Sequence, residues 1–267
     1  MNVGKKVRLN RLFSHPTGRL CSVAVDHFIN YNLGALPEGL KHIRTTLNAI
    51  VQGKPDSVTM HRGIAASAWG DFAGKVPFIL QSTLCKPDDS FHEQIADPED
   101  AVRLGADGFA VAAFVRGKTE GYYLKAVTDC VKMGARFEMP VFVHIYPREF
   151  GKEVKISFEP EDIAWATRCA VECGVDVVKV PYCNDVKAYA QIVADCPVPL
   201  VAAGGPQTKT FAEALAMLQQ VVQSGAAGAV VGRNVWGFDH ITKAVRAIKA
   251  VIHDANSPKE ALRAAEL

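Results

Sequence analysis

Short apolar runs recur along the chain, each followed by a stretch whose apolar positions repeat at helical spacing. There are eight: SVAVD (22–26), SVTMH (57–61), PFILQ (77–81), GFAVAAFV (108–115), PVFVHIY (140–146), VVKVPY (177–182), PLVAAGG (199–205) and GAVVGRN (228–234). Near-continuous Val, Ile and Ala runs are what strands of a parallel sheet covered on both faces look like. Between them, 37–51 sets Leu40, Ile43, Leu47, Ile50 and Val51 at helical intervals and predicts one helix. Residues 97–106 open with Asp-Pro, a good N-cap and first-turn pair. The phrase RLGAD (103–107) returns in kind as ECGVD (172–176) and QSGAAG (223–228). In each, a helix is expected to end on a left-handed glycine just before the next strand.

Eight strands alternating with helices leave a closed (β/α)8 barrel or a doubly wound open sheet. A doubly wound dinucleotide fold calls for Gly-x-Gly-x-x-Gly after its first strand, but VAVD is followed by HFINYNLG (27–34). The expectation is therefore an α/β chain forming one TIM-barrel domain over 1–267, with a lead-in at 1–20 and a tail at 255–267. The length of 267 residues suits that fold, which commonly takes about 250. The tail, ANSPKEALRAAEL, reads as a short amphipathic helix, either an oligomer contact or a frayed end.

Composition narrows the function classes. A net charge of +2 supplies no global field for nucleic acid or an anionic membrane, so neither is expected as a partner. The first ten residues are polar and basic, and no run of about 18 apolar residues occurs, so neither a signal peptide nor a membrane span is expected. Seven cysteines without a Cys-x-x-Cys pair suit reduced thiols and a cytoplasmic protein. Cys169 and Cys173, four apart on a helix, read as small apolar residues of one face.

In a barrel, alternate strand residues face the lumen, and functional groups collect at the C-terminal strand ends. Lys179 shares the lumen parity of Val177. Burying an ammonium is costly unless it is paired or neutralised, and a neutral amine adds to ketones. The bland alternatives are a lysine paired with a core carboxylate or one that reaches solvent. By the same parity Asp26 ends the first run facing inward, and His144 and Tyr146 follow Phe142 on the fifth. Gly204 and Gly205 after the seventh run, with Gly232 and Arg233 after the eighth, suit a phosphate site of the kind such barrels often carry there. Glycines that only make tight turns are the alternative. The eight histidines, His27, His61 and His92 among them, show no metal-ligand spacing, so no metal is expected. No Gly-x-Ser-x-Gly elbow occurs either.

RLNRLF (8–13), AVDH (24–27), DSVTMHRGI (56–64), YPRE (146–149), VVKVPY, AGGPQTKT (203–210) and VVGRNVW (230–236) stand in the order and spacing of the DhnA-type class I fructose-bisphosphate aldolases. The chain resembles that family, part of the DeoC/LacD-like superfamily of Schiff-base aldolases, from Arg8 to His253. That aldolase group in turn looks similar to the transaldolase-like 2-amino-3,7-dideoxy-D-threo-hept-6-ulosonate synthase and the autoinducer-2 thiolase. The resemblance implies Lys179 as the Schiff-base lysine, Tyr146 as the proton carrier and Asp26 as an aid to proton transfer and substrate hydroxyl binding. It implies Gly204, Gly205, Gly232 and Arg233 as the phosphate site; His27 and His144, read from their places near the barrel mouth, are expected beside the substrate. No cofactor is implied beyond the covalent Schiff base, and a homo-oligomer, often a decamer, is. The sequence departs from the family pattern at Phe28 for Gly, His144 for Trp, Glu149 for Gly, Ala203 for Ser, and AAFVRG (112–117) at the end of the fourth run. These departures are expected to alter the walls around the rest of the sugar.

The expected activity is metal-independent cleavage or formation of a ketose phosphate, such as fructose 1,6-bisphosphate, to dihydroxyacetone phosphate and an aldehyde. That is a lyase of carbohydrate metabolism, glycolysis included. Three alternatives stand beside it: a transaldolase- or thiolase-like transferase using the same lysine, a non-catalytic phosphosugar-binding barrel, and, by fold analogy alone, a flavin-binding barrel.

Overall fold

The apolar runs become the parallel strands β1 (Leu20–Ala24), β2 (Ser57–His61), β3 (Phe78–Gln81), β4 (Gly108–Val115), β5 (Val141–Phe150), β6 (Val177–Val180), β7 (Leu200–Ala203) and β8 (Gly228–Val231). Each pairs with its sequence neighbours, β8 pairs with β1, and the sheet closes on itself as a (β/α)8 barrel. This computed structural model describes residues 2–30 and 36–267. Residues 31–34 of the HFINYNLG stretch, read above as lacking a dinucleotide loop, lie outside the described residues.

Side-chain parity follows the alternation of the strands. Leu20, Ala24, Ile79, Ala110, Phe142, Val177, Val201 and Val230 form the lumen core, while Val23, Val58, Leu80, Val143, Val178 and Val231 belong to the larger core under the helices. The register makes Phe142 a partner of Val177 and His144 a partner of Lys179, so both pairs share lumen parity. The repeated glycine stops behave as read: Gly105, Gly174 and Gly225 have φ of 76°, 80° and 84°, each just before a strand. Asp97 and Asp100 form a capping box on the helix Pro98–Leu104.

Two local expectations are corrected, and the lead-in takes a definite form. Val3–Leu12 is a helix that plugs the N-terminal end of the barrel. Leu12 is fully buried in the lumen core, with Leu9 and Phe13 packed against it. Lys5 ion-pairs with Asp176 at 3.0 Å and Arg11 with Asp107 at 3.1 Å, fixing the plug to the loops before β6 and β4. Two basic residues of this segment are what fasten it.

The helix expected over 37–51 is two pieces, Glu38–Lys41 and Ile43–Gln52, broken at His42. Gly39 lies so close to the Trp236 carbonyl that any side chain there would collide with it. Thr46 donates its hydroxyl to Gly39 O at 2.7 Å, satisfying a carbonyl at the break.

The fifth strand runs past Tyr146 to Phe150, because Arg148–Phe150 pair with an antiparallel strand, Val154–Ile156. Arg148 secures this arm. Its side chain is fully buried, ion-paired to Asp89 at 2.6 Å and bonded to the Pro87 and Arg116 carbonyls. It also lies over the rings of Phe114, Tyr123 and Phe150.

The tail forms the helix Pro258–Ala264, capped by Ser257 and Glu260, with Ala261 and Ala265 buried against the chain's own helices. No helix among the described residues is long and apolar enough to cross a membrane. Leu12→Ala should lower unfolding stability by about 2–5 kcal/mol, the usual cost of a cavity at a fully buried leucine. Urea unfolding measures it, and a loss near zero would mean the plug does not help close the barrel.

Candidate active site

A cleft of about 380 Å³ opens at the C-terminal ends of the strands. Lys179 and Tyr146 line it together with His27, Gly204, Gly205, Gly232 and Arg233. Asp26 and His144 do not line it. They lie buried in the lumen, 1% and 0% exposed, so the predicted residues divide into a lined cleft and a polar layer away from its surface.

That layer is organised by Gln81, which the sequence reading missed. Gln81 ends β3 with no exposure. Its Oε1 accepts the backbone N–H groups of Ser82 at 3.0 Å and Thr83 at 3.2 Å. Its Nε2 donates to Asp26 Oδ2 at 3.0 Å and faces His144 Nδ1 at 3.1 Å. Asp26 Oδ1 faces His27 Nδ1 at 3.2 Å. His61, at the end of β2, sets Nδ1 against Gln81 O at 3.1 Å and Nε2 against Asp26 O at 3.2 Å. The rule that selected Asp26, a polar residue of lumen parity at a strand's C-terminal end, would have selected Gln81 and His61 as well.

Electrostatics follow from burial. Burial acts most strongly on the Asp26 carboxyl and pushes it up, but the hydrogen bond and charge of His27 and the charge of Lys179 outweigh that and hold it well below the usual range. Burial lowers the His27, His61 and His144 imidazoles, with the Lys179 charge lowering His144 further. The Asp26 carboxylate opposes the shift at each.

The other wall is built by the β7 and β8 turns. Asn234, nearly fully buried, donates to the Gly204 and Pro206 carbonyls at 2.9 Å and accepts from Thr208 N at 2.9 Å, locking the two turns together. A side chain at Gly204 would come within 2.8 Å of Val231 Cα, so that glycine is required by packing. Its N–H is spent on the Val230 carbonyl at 2.9 Å, which leaves Gly205 and the Gly232–Arg233 turn as the backbone that could meet an anion. Gly205 has φ of 69°, the left-handed region that favours glycine. Trp236 bonds Ala24 O at 2.9 Å and its ring meets His27 edge-on, tying β8 to β1.

Lys155, Ile156 and Phe158, from the arm secured by Arg148, complete the lining. No sequence signal marks Lys155, because its place depends on that long-range anchor. Of the departures from the family pattern, Ala203 lines the cleft and His144 is buried near it. Phe28 borders a separate apolar pocket and Glu149 is exposed on the arm, whereas at the end of β4 Ala112 and Phe114 stand opposite His144 and Tyr146, with the Phe114 ring against that of Tyr146. His92 packs edge-on against Tyr123, away from the other three histidines. Cys169 and Cys173 are half-buried on one helix, as read. No group of three or more His, Cys, Asp or Glu suited to a metal ion occurs among the described residues.

The family model for DeoC/LacD family aldolases matches residues 20–237. Among curated proteins, the 2-amino-3,7-dideoxy-D-threo-hept-6-ulosonate synthase of Halobacterium salinarum is 32% identical over all of this chain and 98% of its own length. The corresponding synthase 1 of Archaeoglobus fulgidus is 28% identical over 94% of this chain and 92% of its own. Among solved structures, an archaeal fructose 1,6-bisphosphate aldolase superposes with a TM-score of 0.81 at 26% identity, covering 94% of this chain and 99% of that one. A second structure of such an aldolase, with the catalytic lysine covalently bound to the carbinolamine intermediate of its substrate, gives the same TM-score and identity over 93% of this chain and 99% of that one.

The buried histidines make stability acid-sensitive. Each is neutral in the fold to below its ordinary value of 6.5, whereas the unfolded chain takes up protons from that value downward. Their contribution is therefore fully present above about pH 6.5 and is lost as pH falls, at up to about 1.4 kcal/mol per pH unit for each histidine. Unfolding free energies at about pH 7 and about pH 5 measure this. Equal values would contradict the neutral, buried trio.

Proposed function

The chain belongs to the DeoC/LacD family of aldolases, and we propose that it makes or breaks a carbon–carbon bond in a phosphorylated ketose through a Schiff base on Lys179. One observation carries this reading: a lysine only 3% exposed reaches the same cleft that the Gly205 and Gly232–Arg233 turns line. A phosphate held at those turns sets the neighbouring ketone carbon against the amine. Arg233 supplies a guanidinium fork suited to phosphate oxygens.

In the cleavage direction, the Lys179 amine adds to the C2 ketone, and loss of water leaves an iminium ion. Its positive charge accepts the electron pair of the C3–C4 bond as the C4 hydroxyl gives up its proton. Tyr146, half-buried in the cleft wall, relays that proton, its hydroxyl oxygen accepting it as its own O–H proton passes to water in the cleft. Asp26, held ionised, balances charge beneath the amine. The aldehyde leaves, the enamine is reprotonated, and hydrolysis releases dihydroxyacetone phosphate or a similar ketone.

Fructose 1,6-bisphosphate is the substrate supported by the solved aldolases. A synthase reading, in which the lysine-bound fragment passes to an acceptor, is favoured by the 32% identity to the hept-6-ulosonate synthase over the whole chain. Turnover that appears only when an acceptor is added would decide for it. Cytoplasmic location and a homo-oligomeric assembly are part of the same proposal.

Borohydride reduction in the presence of dihydroxyacetone phosphate should add one ketone-derived mass to the peptide containing Lys179, and Lys179→Met should carry neither adduct nor turnover. An adduct elsewhere, or full activity in Lys179→Met, would sink the scheme. Arg233→Ala should weaken a phosphorylated ketone by about 10- to 100-fold, the worth of a hydrogen bond to a charged group, yet leave unphosphorylated dihydroxyacetone nearly unchanged. Equal losses for both ketones would remove Arg233 from the phosphate site.

A further inference from the structure

We propose that Gln81 is a positioning residue that holds His144 as the tautomer protonated at Nε2, so that this N–H polarises the ketone oxygen while Lys179 adds to the carbon. The inference rests on the Schiff-base reading of Lys179 and extends it to the first bond-making step.

The argument begins with the amide. The Ser82 and Thr83 backbone N–H groups are donors, so the Gln81 atom they meet is the oxygen. That sets the side chain's orientation, which leaves its NH2 group facing Asp26 Oδ2 and His144 Nδ1. Two hydrogens meet two acceptors. An amide nitrogen does not accept, so His144 Nδ1 carries the lone pair, and the neutral ring carries its proton on Nε2.

His144 Nε2 is buried and has no hydrogen-bond partner among the described residues. A buried donor left unpaired is costly, so it calls for a partner. His144 stands directly opposite Lys179 in the β5–β6 register, on the lumen side of both strands. A substrate carbon bonded to Lys179 Nζ brings its oxygen to this part of the lumen, where an unpaired N–H donor is waiting. Burial keeps the ring neutral.

The step balances without any group beyond these. The amine lone pair forms the N–C2 bond, and the π pair of C=O moves onto oxygen. The His144 N–H donates a hydrogen bond to that oxygen as its charge grows, and keeps its proton. The new ammonium then passes a proton to the oxygen, completing the carbinolamine. Neutral imidazole polarising a carbonyl is chemistry that enzymes use elsewhere. Gln81 touches no substrate and acts through the ring.

Nitrogen-15 NMR of the imidazoles and the rate of borohydride-trapped adduct formation with dihydroxyacetone phosphate test the two halves. In the wild type, His144 should be protonated at Nε2 alone. Gln81→Glu replaces the donor with an acceptor of the same shape, so the proton should move to Nδ1. Trapping on Lys179 should then slow by about 100-fold or more, the usual cost of losing a donor to a developing oxyanion. The ketone concentration for half-maximal trapping should move only a few-fold, whereas a variant that merely loosens the fold would shift it strongly. A wild-type ring protonated at Nδ1, or trapping in Gln81→Glu at the wild-type rate, overturns the inference. Should Gln81→Glu not fold, His144→Phe takes its place, with the same slowing expected and an unchanged rate again overturning it. A wild type that forms no Lys179 adduct with any ketose phosphate overturns the Schiff-base reading and this inference with it. A wild-type adduct with unslowed variants overturns the inference alone.

Discussion

A lysine in a barrel lumen must be matched by its surroundings, and much of the polar structure here follows from that need. Lys179 is nearly fully buried, and its charge is one of the forces holding Asp26 ionised. An ionised carboxylate with almost no solvent contact in turn requires donors. Gln81 supplies one and His27 faces the other oxygen. Gln81 can do so only because two backbone N–H groups hold its oxygen. A chain of single dependencies thus runs from the amine to the backbone of the β3 turn, and a half-satisfied version of it would cost more than an apolar lumen.

Closure of the barrel makes this possible. Val177 and Phe142 fill the lumen one layer below Lys179 and His144, and Leu12 seals the end beneath them. Water is thereby excluded from one side, and the amine's remaining approach is the cleft. The upper wall has fastenings of its own, besides the tie of Trp236 to Ala24. Asn234 locks the β7 and β8 turns to each other, while Arg148 fastens the arm that carries Lys155 and Phe158. The lumen can keep one set of chemistry while the turns and arm set what fits above it.

The eight strands, their lumen parity and the three glycine stops were legible in the sequence because each is a local rule repeated many times. Parity alone put Lys179, His144 and Asp26 on the inner face. What escaped were features made by contact at long range. The plug helix reads as a solvated basic segment until Asp176 and Asp107 come up beside it. The break at His42 needs the Trp236 carbonyl against Gly39. Lys155 reaches the cleft only because Arg148 is buried among three rings. Gln81 is different: its parity was readable, but an amide is neither nucleophile nor acid, and its role lies in which atoms the backbone has already claimed.

The same distinction bears on what the family resemblance can specify. Of the positions where this chain departs from the fructose-bisphosphate aldolase pattern, Phe28, Glu149 and the end of β4 are not among the cleft's lining residues. Phe28 and Glu149 leave the cleft wall alone, whereas Ala112 and Phe114 at the end of β4 back His144 and Tyr146. Ala203 removes a hydroxyl from the cleft wall, a small loss of polarity beside the turns. His144 is the departure next to the amine, and a change there demands a compensating partner because the site is closed to water. Gln81 is that partner: its fixed NH2 satisfies Nδ1, which a tryptophan ring would not present. Histidine at this position is thus held by a partner of its own in this chain. On the chemistry proposed above, the pair bears on how the ketone is activated, while the arm and the turns line the rest of the cleft.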